Sequence, residues 1–438
     1  MNYWSDRLVS ELKFAMKYSQ ENDNLYDDLL KVALELTSSA LQKGPINETV
    51  ALEVEGCLSP LTNAVKKLRV LCVAHAHIDM NWLWGYSETV AITLDTFRTM
   101  LNLLNEYPQF KFSHSQASVY RIVEEYDPDM LQEIKKRVKE GRWEVTASTW
   151  VEADKNLPNG ESEARQILYT KRYLSNLLDI NPTSLQIDFE PDTFGHNQNV
   201  PEILQGGGVK YYYHCRGYTG HNVFNWKAPS GSEIIVYNEP LFYNASDLGG
   251  DIAINAPGFC KKHGVDTALK LYGVGDHGGG PTRRDIEKLM DMNNWPVFPR
   301  IEFGTLIEFF KILEPVKAKL PTFEGELNFV FPGCYSSQTR IKLANRMSQS
   351  RLREAETIST ISNVFVCKSY PTKLIKESWI KTIFNQFHDI LPGSGVLETR
   401  EMAMGMFQEI LAGANTSISA AERAIAEKID TNALGFKD

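Results

Sequence analysis

The sequence predicts an α/β protein built around a parallel sheet and followed by a three-helix bundle. Short apolar runs alternate with amphipathic stretches from residue 68 to about residue 330, which is typical of strand–helix units. After residue 333, three long helical stretches are separated only by short turns, as in a bundle. With 438 residues the chain is too long for one ordinary core, so we expect more than one domain.

The predicted domains are an N-terminal helical segment at 1–65, an α/β domain at 66–332 and a bundle at 333–438. In the first segment, Leu8 and Leu12 fall at helical spacing, and no chemistry is evident. Strand–helix alternation alone fits either a barrel or an open doubly wound sheet. In chain order, the predicted elements are strands at 68–74, 110–116, 143–154, 184–189, 210–214 and 269–276, helices at 86–105, 117–140, 161–177, 336–362, 372–388 and 400–428, and a hairpin or long loop at 216–260.

Composition narrows the class of protein. The net charge is −9 and no basic stripe stands out, which argues against nucleic acid as a partner. Charges at the N-terminus argue against a signal peptide, and no apolar run of about 18 residues could span a membrane. The six cysteines are scattered and form no CxxC pair, so neither a zinc ribbon nor a disulfide framework is indicated. We expect a cytoplasmic protein.

Three metal-ligand residue types follow the first apolar strand. His75, His77 and Asp79 alternate, so that on an extended strand end they would point to one side. Imidazole and carboxylate groups together suit zinc or a similar divalent ion. The carboxyl ends of strands in α/β folds are also where functional residues collect. The pattern therefore predicts a metal site that later parts of the chain complete.

Three further polar clusters lie at the ends of predicted elements. Residues 188–197 place three carboxylates at a strand end, which is costly unless a cation or a pKa shift relieves them. Residues 273–282 form a glycine-rich loop that would let a substrate come close; the lysine of a P-loop is missing. Residues 384–394 place His388 and Asp389 at the end of a bundle helix, as helix-capping residues or as part of a site.

Together and in this order, the clusters resemble the motifs of the glycoside hydrolase family 38 α-mannosidases. The resemblance covers roughly residues 68 to 400. The stretches that carry it are HxHxDxxW at 75–82, PDTFG at 191–195, GDxGGGPT at 275–282, GELNF at 325–329, YSSQTRIKLANR at 335–346 and NQFHDILPGS at 385–394.

The resemblance implies a (β/α)7-type barrel-like catalytic domain and a retaining glycosidase that cleaves terminal α-mannosides of glycans or oligosaccharides. It implies a nucleophile, Asp192, that forms a covalent mannosyl–enzyme intermediate, and Asp276 as the general acid/base. His75 is implied to support the metal site without being a ligand. The implied ligands of Zn²⁺ are His77, Asp79, Asp192 and His388. The implied sugar-contacting residues are Trp82, Arg216, Trp226, Tyr335 and Asp389.

Members of this family usually continue beyond the bundle into large β-sandwich domains, and we expect this chain to be a fragment or a short form without them. Two other functions stay open. One is a metal-dependent carbohydrate deacetylase, which would use a metal-bound water and would not need Asp192 as a nucleophile. The other is a non-catalytic carbohydrate-binding fragment. The expected partner is an α-mannoside, with no membrane partner, and the sequence leaves a homo-oligomer open.

Overall fold

The computed structural model describes residues 2–245, 247–328 and 330–431. Parts of four predicted features lie outside these residues, namely Met1 of the N-terminal segment, Ser246 of the 216–260 segment, Phe329 of GELNF and 432–438 of the bundle. The helices are α1 (Tyr3–Glu21), α2 (Asp27–Leu41), α3 (Glu48–Cys57), α4 (Ser59–Val65), α5 (Tyr86–Glu106), α6 (Ala117–Tyr126), α7 (Pro128–Lys139), α8 (Gly160–Leu178), α9 (Val200–Gly206), α10 (Ala256–His263), α11 (Arg283–Asn293), α12 (Leu306–Leu313), α13 (Thr339–Val366), α14 (Thr372–Phe384) and α15 (Leu397–Ala426). The strands are β1 (Arg69–Ala74), β2 (Phe112–His114), β3 (Trp143–Val145), β4 (Ile187–Glu190), β5 (Tyr211–His214), β6 (Val223–Lys227), β7 (Glu233–Asn238), β8 (Thr267–Tyr272), β9 (Arg300–Gly304) and β10 (Thr322–Glu324).

Strand β1 is the centre of a three-stranded parallel sheet, with β8 on one side and β9 on the other. Its alternate side chains enter two different apolar cores, Val70 and Cys72 in one and Leu71 and Val73 in the other. A strand that is buried on both faces is expected to be continuously apolar, so the predicted buried strand is confirmed. It ends at Ala74, and the HxHxD residues therefore lie at its carboxyl end.

The second sheet has the order β10-β6-β7-β5-β4. Strands β4, β5 and β7 run parallel, whereas β6 and β7 form an antiparallel hairpin within the 216–260 segment, as predicted. Strands β2 and β3 form a separate parallel pair. The mixed α/β architecture with parallel sheets is confirmed. Closure of these sheets into a barrel stays a prediction.

The strand predicted at 143–154 is too long, because β3 ends at Val145. Within the predicted range, Glu152 and Asp154 have their backbone partners in the segment after α14. Asp154 donates its N–H to the Gln386 carbonyl (2.9 Å), and His388 donates its N–H to the Glu152 carbonyl (3.1 Å). This pairing attaches the C-terminal helical region to the α/β region.

Residues 2–65, the described part of the N-terminal segment, form four helices, α1 to α4, as their periodicity predicts. Their core is shared with the α/β region: the ring of Phe14 lies 5.4 Å from that of Phe298, and Glu11 accepts the N–H of Val297 (2.8 Å). The N-terminal helices are therefore attached to the sheet region through buried contacts.

Helices α13, α14 and α15 bury Leu352, Trp379 and Phe407 in one apolar cluster. Helix α14 ends at Phe384, earlier than the predicted 372–388, because the chain then turns to pair with the segment after β3. His388 thus lies in a turn beyond the helix, not at its last residue. The separation of these helices as a bundle domain stays a prediction. None of the described helices combines the length and the hydropathy needed to cross a membrane.

Candidate active site

Four predicted ligands come from three distant parts of the chain to one buried point. His77 and Asp79 follow β1, Asp192 follows β4, and His388 lies in the turn after α14. One potential ligand atom from each residue lies within 4.8 Å of the others. Their exposed fractions are 1%, 1%, 8% and 0%. The structure therefore brings together the four residues that the sequence resemblance selected.

The inner atoms of this cluster suit a divalent cation. His77 Nε2 lies 2.9 Å and His388 Nε2 lies 3.3 Å from Asp79 Oδ1, while His388 Nε2 lies 3.9 Å from Asp192 Oδ2. The two Nε2 atoms and Asp79 Oδ1 are buried and have no hydrogen-bond partner. Unsatisfied buried polar atoms are rare, because each costs about 1–3 kcal/mol. Two imidazoles and two carboxylates that leave such atoms facing one another form a donor set that zinc accepts.

The carboxylates around this cluster strongly raise the pKa values of its two histidines. Burial would lower the pKa of His77, but the Glu152 and Asp79 carboxylates outweigh it and raise the pKa well above its usual range. Burial acts in the same way on His388, whose pKa Glu152, Asp79 and Asp389 raise to about 10. The carboxylates therefore require positive charge between them, which protons on the imidazoles or a metal ion can supply.

Asp192 is held by an arginine from the segment after β5. The Arg216 guanidinium donates to Asp192 Oδ1, and Arg216 Nε also lies 3.2 Å from the Asp192 carbonyl oxygen. The guanidinium in turn lies over the rings of Phe331 (4.9 Å) and Phe194 (5.7 Å). Burial raises the pKa of Asp192, while His388, His77 and Arg216 oppose this effect. Arg216 thus favours the ionised carboxylate.

The glycine-rich loop lies directly on the HxHxD segment. A Cβ on Gly273 would lie 1.9 Å from the His75 carbonyl oxygen, and one on Gly275 would lie 2.7 Å from His77 Cβ. The expectation that these glycines make room for a substrate is therefore replaced at both positions by contact between two backbone segments. The Asp276 carbonyl accepts the N–H of Asp79 (2.8 Å), which fixes the loop beside the cluster.

The Asp276 side chain is about a third exposed and pairs with His277. Its backbone is left-handed, with φ of 73°. A non-glycine residue in this region is uncommon and costs about 1 kcal/mol or more. A partly exposed carboxyl group is compatible with proton exchange with a substrate, although the Asp276 side chain forms no hydrogen bond or ion pair with the four-residue cluster.

Two of the predicted sugar-contacting residues, Arg216 and Asp389, contact members of the cluster, and a third, Trp82, lies close to Asp79 in the chain. The half-buried Trp82 follows Asp79 by three residues, and its carbonyl accepts the N–H of Val396 (2.8 Å). Asp389 is buried beside His388 (Oδ2 to Nε2, 3.6 Å), and burial raises its pKa to about 7, with partial opposition from His388. Arg216 reaches the site through Asp192, as described above.

Tyr335 lies beside the PDTFG turn. Its hydroxyl accepts a hydrogen bond from Asn156 Nδ2 (2.7 Å), which also donates to Asn328 Oδ1 (2.8 Å). A Cβ on Gly195 would lie 2.7 Å or less from an atom of each of these three residues. The glycine therefore allows a polar triad to close over the turn that carries Asp192.

Trp226 is not brought to the site. It is fully buried in a core with Tyr212, and its Nε1–H donates to the Gly325 carbonyl (2.9 Å). A ring with no exposed surface offers no face to a sugar. His75 is also buried, beside Ser113 (Nδ1 to carbonyl, 3.2 Å), and it contributes no atom to the four-residue cluster.

Glu152 is the residue that the sequence did not single out. It is completely buried and contacts His77, His388 and the backbone at Asp192. In the sequence, Glu152 is only a carboxylate near the polar end of a predicted strand. Nothing local distinguished it from a solvent-facing glutamate.

Two family descriptions match the sequence. "Glycosyl hydrolases family 38 N-terminal domain" matches residues 67–326, which is more than half of the chain. "Alpha mannosidase middle domain" matches residues 330–425.

Named relatives and a solved structure agree with these matches. Alpha-mannosidase G of Dictyostelium discoideum is 33% identical over 357 residues, covering 80% of this chain and 32% of the relative. The alpha-mannosidase of Saccharomyces cerevisiae is 32% identical over 342 residues, covering 74% and 31%. The chain thus spans about a third of the length of these relatives. The crystal structure of an alpha-mannosidase from Enterococcus faecalis V583 shares the fold, with a TM-score of 0.74 at 22% identity, covering 83% of this chain and 43% of that one.

Proposed function

The chain belongs to glycosyl hydrolase family 38, and from this premise we propose that it carries the active site of a retaining α-mannosidase that uses Zn²⁺. The substrates would be terminal α-mannosides of glycans or oligosaccharides. The proposal includes the barrel-like domain at 66–332, the bundle at 333–438 and a cytoplasmic location. The observation that supports it most strongly is the convergence of His77, Asp79, Asp192 and His388 at one buried point.

These four residues would hold the zinc ion. When bound, the ion would supply positive charge that binds sugar hydroxyls and favours a distorted ring. The chain's own contribution is to keep the donors fixed and dry, because all four are buried and their supporting contacts come from three different segments. A fixed, water-excluded set of charges makes electrostatic catalysis effective.

Asp192 would act as the nucleophile. One of its carboxylate oxygens would attack the anomeric carbon while the bond from that carbon to the leaving-group oxygen breaks. The guanidinium of Arg216 opposes the effect of burial on the Asp192 pKa, favours the ionised carboxylate and fixes its direction. The product of this step is a mannosyl ester on Asp192 together with the free leaving group.

Asp276 would act as the general acid and then as the general base. It would give its proton to the leaving-group oxygen in the first step and take one from water in the second, when the ester is hydrolysed and Asp192 is released. Retaining enzymes place the two carboxyl groups about 5–5.5 Å apart. The backbone hydrogen bond between Asp79 and Asp276 holds this loop beside the cluster.

The test is turnover of an aryl α-mannoside by the zinc-loaded protein, followed by trapping with a fluorinated mannosyl substrate. We expect a covalent adduct on the peptide that contains Asp192, located by mass spectrometry. Asp192→Asn should abolish both turnover and adduct while leaving the circular dichroism spectrum and melting temperature close to those of the unmodified protein. Substantial turnover by this variant would remove Asp192 from the nucleophile role.

The same experiment separates the other two functions. A deacetylase would release acetate from an acetylated sugar and form no adduct on Asp192. A non-catalytic fragment would bind mannose yet turn over no aryl α-mannoside, even with zinc supplied. Either result would contradict the mannosidase proposal.

A further inference from the structure

A single buried glutamate, Glu152, contacts three of the four cluster residues. Its Oε1 accepts the N–H groups of Asp192 (2.6 Å) and Thr193 (3.0 Å). Its Oε2 lies 3.2 Å from His77 Nδ1. Its backbone carbonyl accepts the N–H of His388 (3.1 Å) and lies 3.1 Å from His388 Nδ1. Glu152 is thus the meeting point of the segments that follow β1, β4 and α14.

These contacts favour a hydrogen on Nδ1 of each imidazole: His388 Nδ1 is hydrogen-bonded to the Glu152 carbonyl, and His77 Nδ1 lies within ion-pair distance of the Glu152 carboxylate. A carboxylate or a carbonyl opposite Nδ1 can only accept, so it retains the hydrogen on Nδ1. The Nε2 atom of a neutral ring then carries the lone pair, and in both residues Nε2 is the atom that faces Asp79. A hydrogen bond to the non-ligating nitrogen is the usual means of orienting a metal-binding histidine.

We propose that Glu152 is a positioning residue that sets both ligand histidines in the Nδ1–H form and at the same time fixes the Asp192 backbone. This inference rests on the proposed function. Glu152, which is not one of the four ligands, would hold the ligand side chains in place before metal or substrate binds. This role requires both carboxylate oxygens of Glu152 to act as acceptors, because the backbone N–H groups on one side and His77 Nδ1 on the other act as donors.

Glu152→Gln is the decisive substitution because it conserves size and removes one of the two acceptors. If the amide oxygen faces the Asp192 and Thr193 N–H groups, the amide NH₂ group faces His77 Nδ1 and favours the hydrogen on Nε2. If the amide is rotated, its NH₂ group opposes two backbone N–H donors. In either orientation the site loses a contact that the carboxylate provides.

Glu144→Gln is a matched control. Glu144 also accepts on both oxygens, from the Ile307 N–H (2.8 Å) on Oε1 and from the Leu306 N–H (2.8 Å) and the Ser113 hydroxyl (2.6 Å) on Oε2. It belongs to β3 and binds the first residues of α12, and none of its hydrogen bonds involves the four cluster residues. This control reproduces the loss of a two-sided acceptor at a position with no role in the metal site.

The measurement is the zinc affinity of the metal-free proteins, by competition with a chromophoric chelator, together with imidazole nitrogen NMR of the zinc-loaded proteins. We expect Glu152→Gln to bind zinc about 10- to 100-fold more weakly, the usual cost of losing such a support, and to weaken the His77 Nδ1–H signal that the zinc-loaded unmodified protein shows. Glu144→Gln should lower the melting temperature and leave the zinc affinity within about twofold of the unmodified value.

Three results would overturn the inference: a Glu152→Gln protein with unchanged zinc affinity, a His77 hydrogen on Nε2 in the zinc-loaded unmodified protein, or an equal loss of affinity in Glu144→Gln. The outcome does not depend on hydrolysis. If zinc binds but no aryl mannoside is cleaved, the proposed function fails while the affinity of Glu152→Gln still decides the role of Glu152. If no zinc binds to the unmodified protein, both fail.

Discussion

Gly195 is the position at which the addition of one methyl group tests the geometry of the site. A Cβ built there lies 2.5 Å from Asn328 Oδ1, 2.6 Å from Asn156 Nδ2 and 2.7 Å from the Tyr335 hydroxyl, whereas ordinary contact begins at 3.4 Å. In Gly195→Ala, these atoms must therefore retreat by about 0.7–0.9 Å, or the turn must move. Small-to-large changes of this kind typically cost about 1–3 kcal/mol.

This displacement also disturbs two hydrogen bonds, because Asn156 donates to both Asn328 and Tyr335. Each of these two bonds contributes about 1 kcal/mol, so we expect a total loss of about 3–5 kcal/mol. Asp192 lies three residues before Gly195, and a displacement of about 1 Å at a reacting group can reduce the rate about 100-fold. We therefore expect lower stability and, in the zinc-loaded protein, a lower kcat on an aryl α-mannoside.

The assay is urea unfolding followed by circular dichroism, with kcat measured on the same samples. Gly405→Ala is the matched control: Gly405 is exposed in the middle of α15, and an added Cβ would meet nothing within 4 Å. Alanine at such a helical position should stabilise the protein by about 0.5–1 kcal/mol. Equal stability and kcat in Gly195→Ala and the unmodified protein would refute the close packing described for this turn.

Two further predictions concern metal binding and pH. His388→Ala should weaken zinc binding by more than the roughly 10- to 100-fold cost of losing a residue that only positions a ligand. The control His221→Ala should leave zinc binding unchanged. Unchanged zinc stoichiometry and affinity in His388→Ala would exclude His388 as a ligand. Burial raises the pKa of Glu163 from 4.5 to about 8, with partial opposition from Lys155 and Asn197. The folded state therefore holds this proton more tightly than the unfolded state does. The resulting contribution to the free energy of unfolding is complete below about pH 4.5 and is lost as the pH rises towards 8. The loss is at most about 1.4 kcal/mol per pH unit. The melting temperature of Glu163→Gln should therefore fall less between pH 5 and pH 8 than that of the unmodified protein; identical pH profiles would contradict the raised pKa.

Local patterns in the sequence were sufficient for much of the fold. The continuous apolar run of β1 predicts a strand that is buried on both faces, and helical periodicity locates most of the long helices. The predicted strand at 143–154 and the predicted helix at 372–388 both extend beyond the elements that the structure shows. Their ends pair with each other through Glu152, Asp154, Gln386 and His388, and this pairing is invisible to a reading that considers each segment alone.

The individual residues of the site divide in the same way. His77 and Asp79 were predictable because they follow a strand whose end must face the site. Trp226 was expected to contact sugar, yet its ring is enclosed by the core of the second sheet. Glu152 carries no local signal, since its importance comes from a backbone carbonyl and two carboxylate oxygens that meet three separate segments.

The sequence by itself determined the residue types of the site, the order of the strands and helices along the chain, and the family to which the motifs belong. These properties depend on hydrophobic periodicity and on short motifs, which are local. The tertiary structure alone decided that Glu152 and His388, 236 positions apart, share a hydrogen bond, that the glycine loop lies on the HxHxD segment, and that Trp226 is buried. Such contacts depend on how several elements pack together, because the free energy of a buried polar group is set by the partners that surround it.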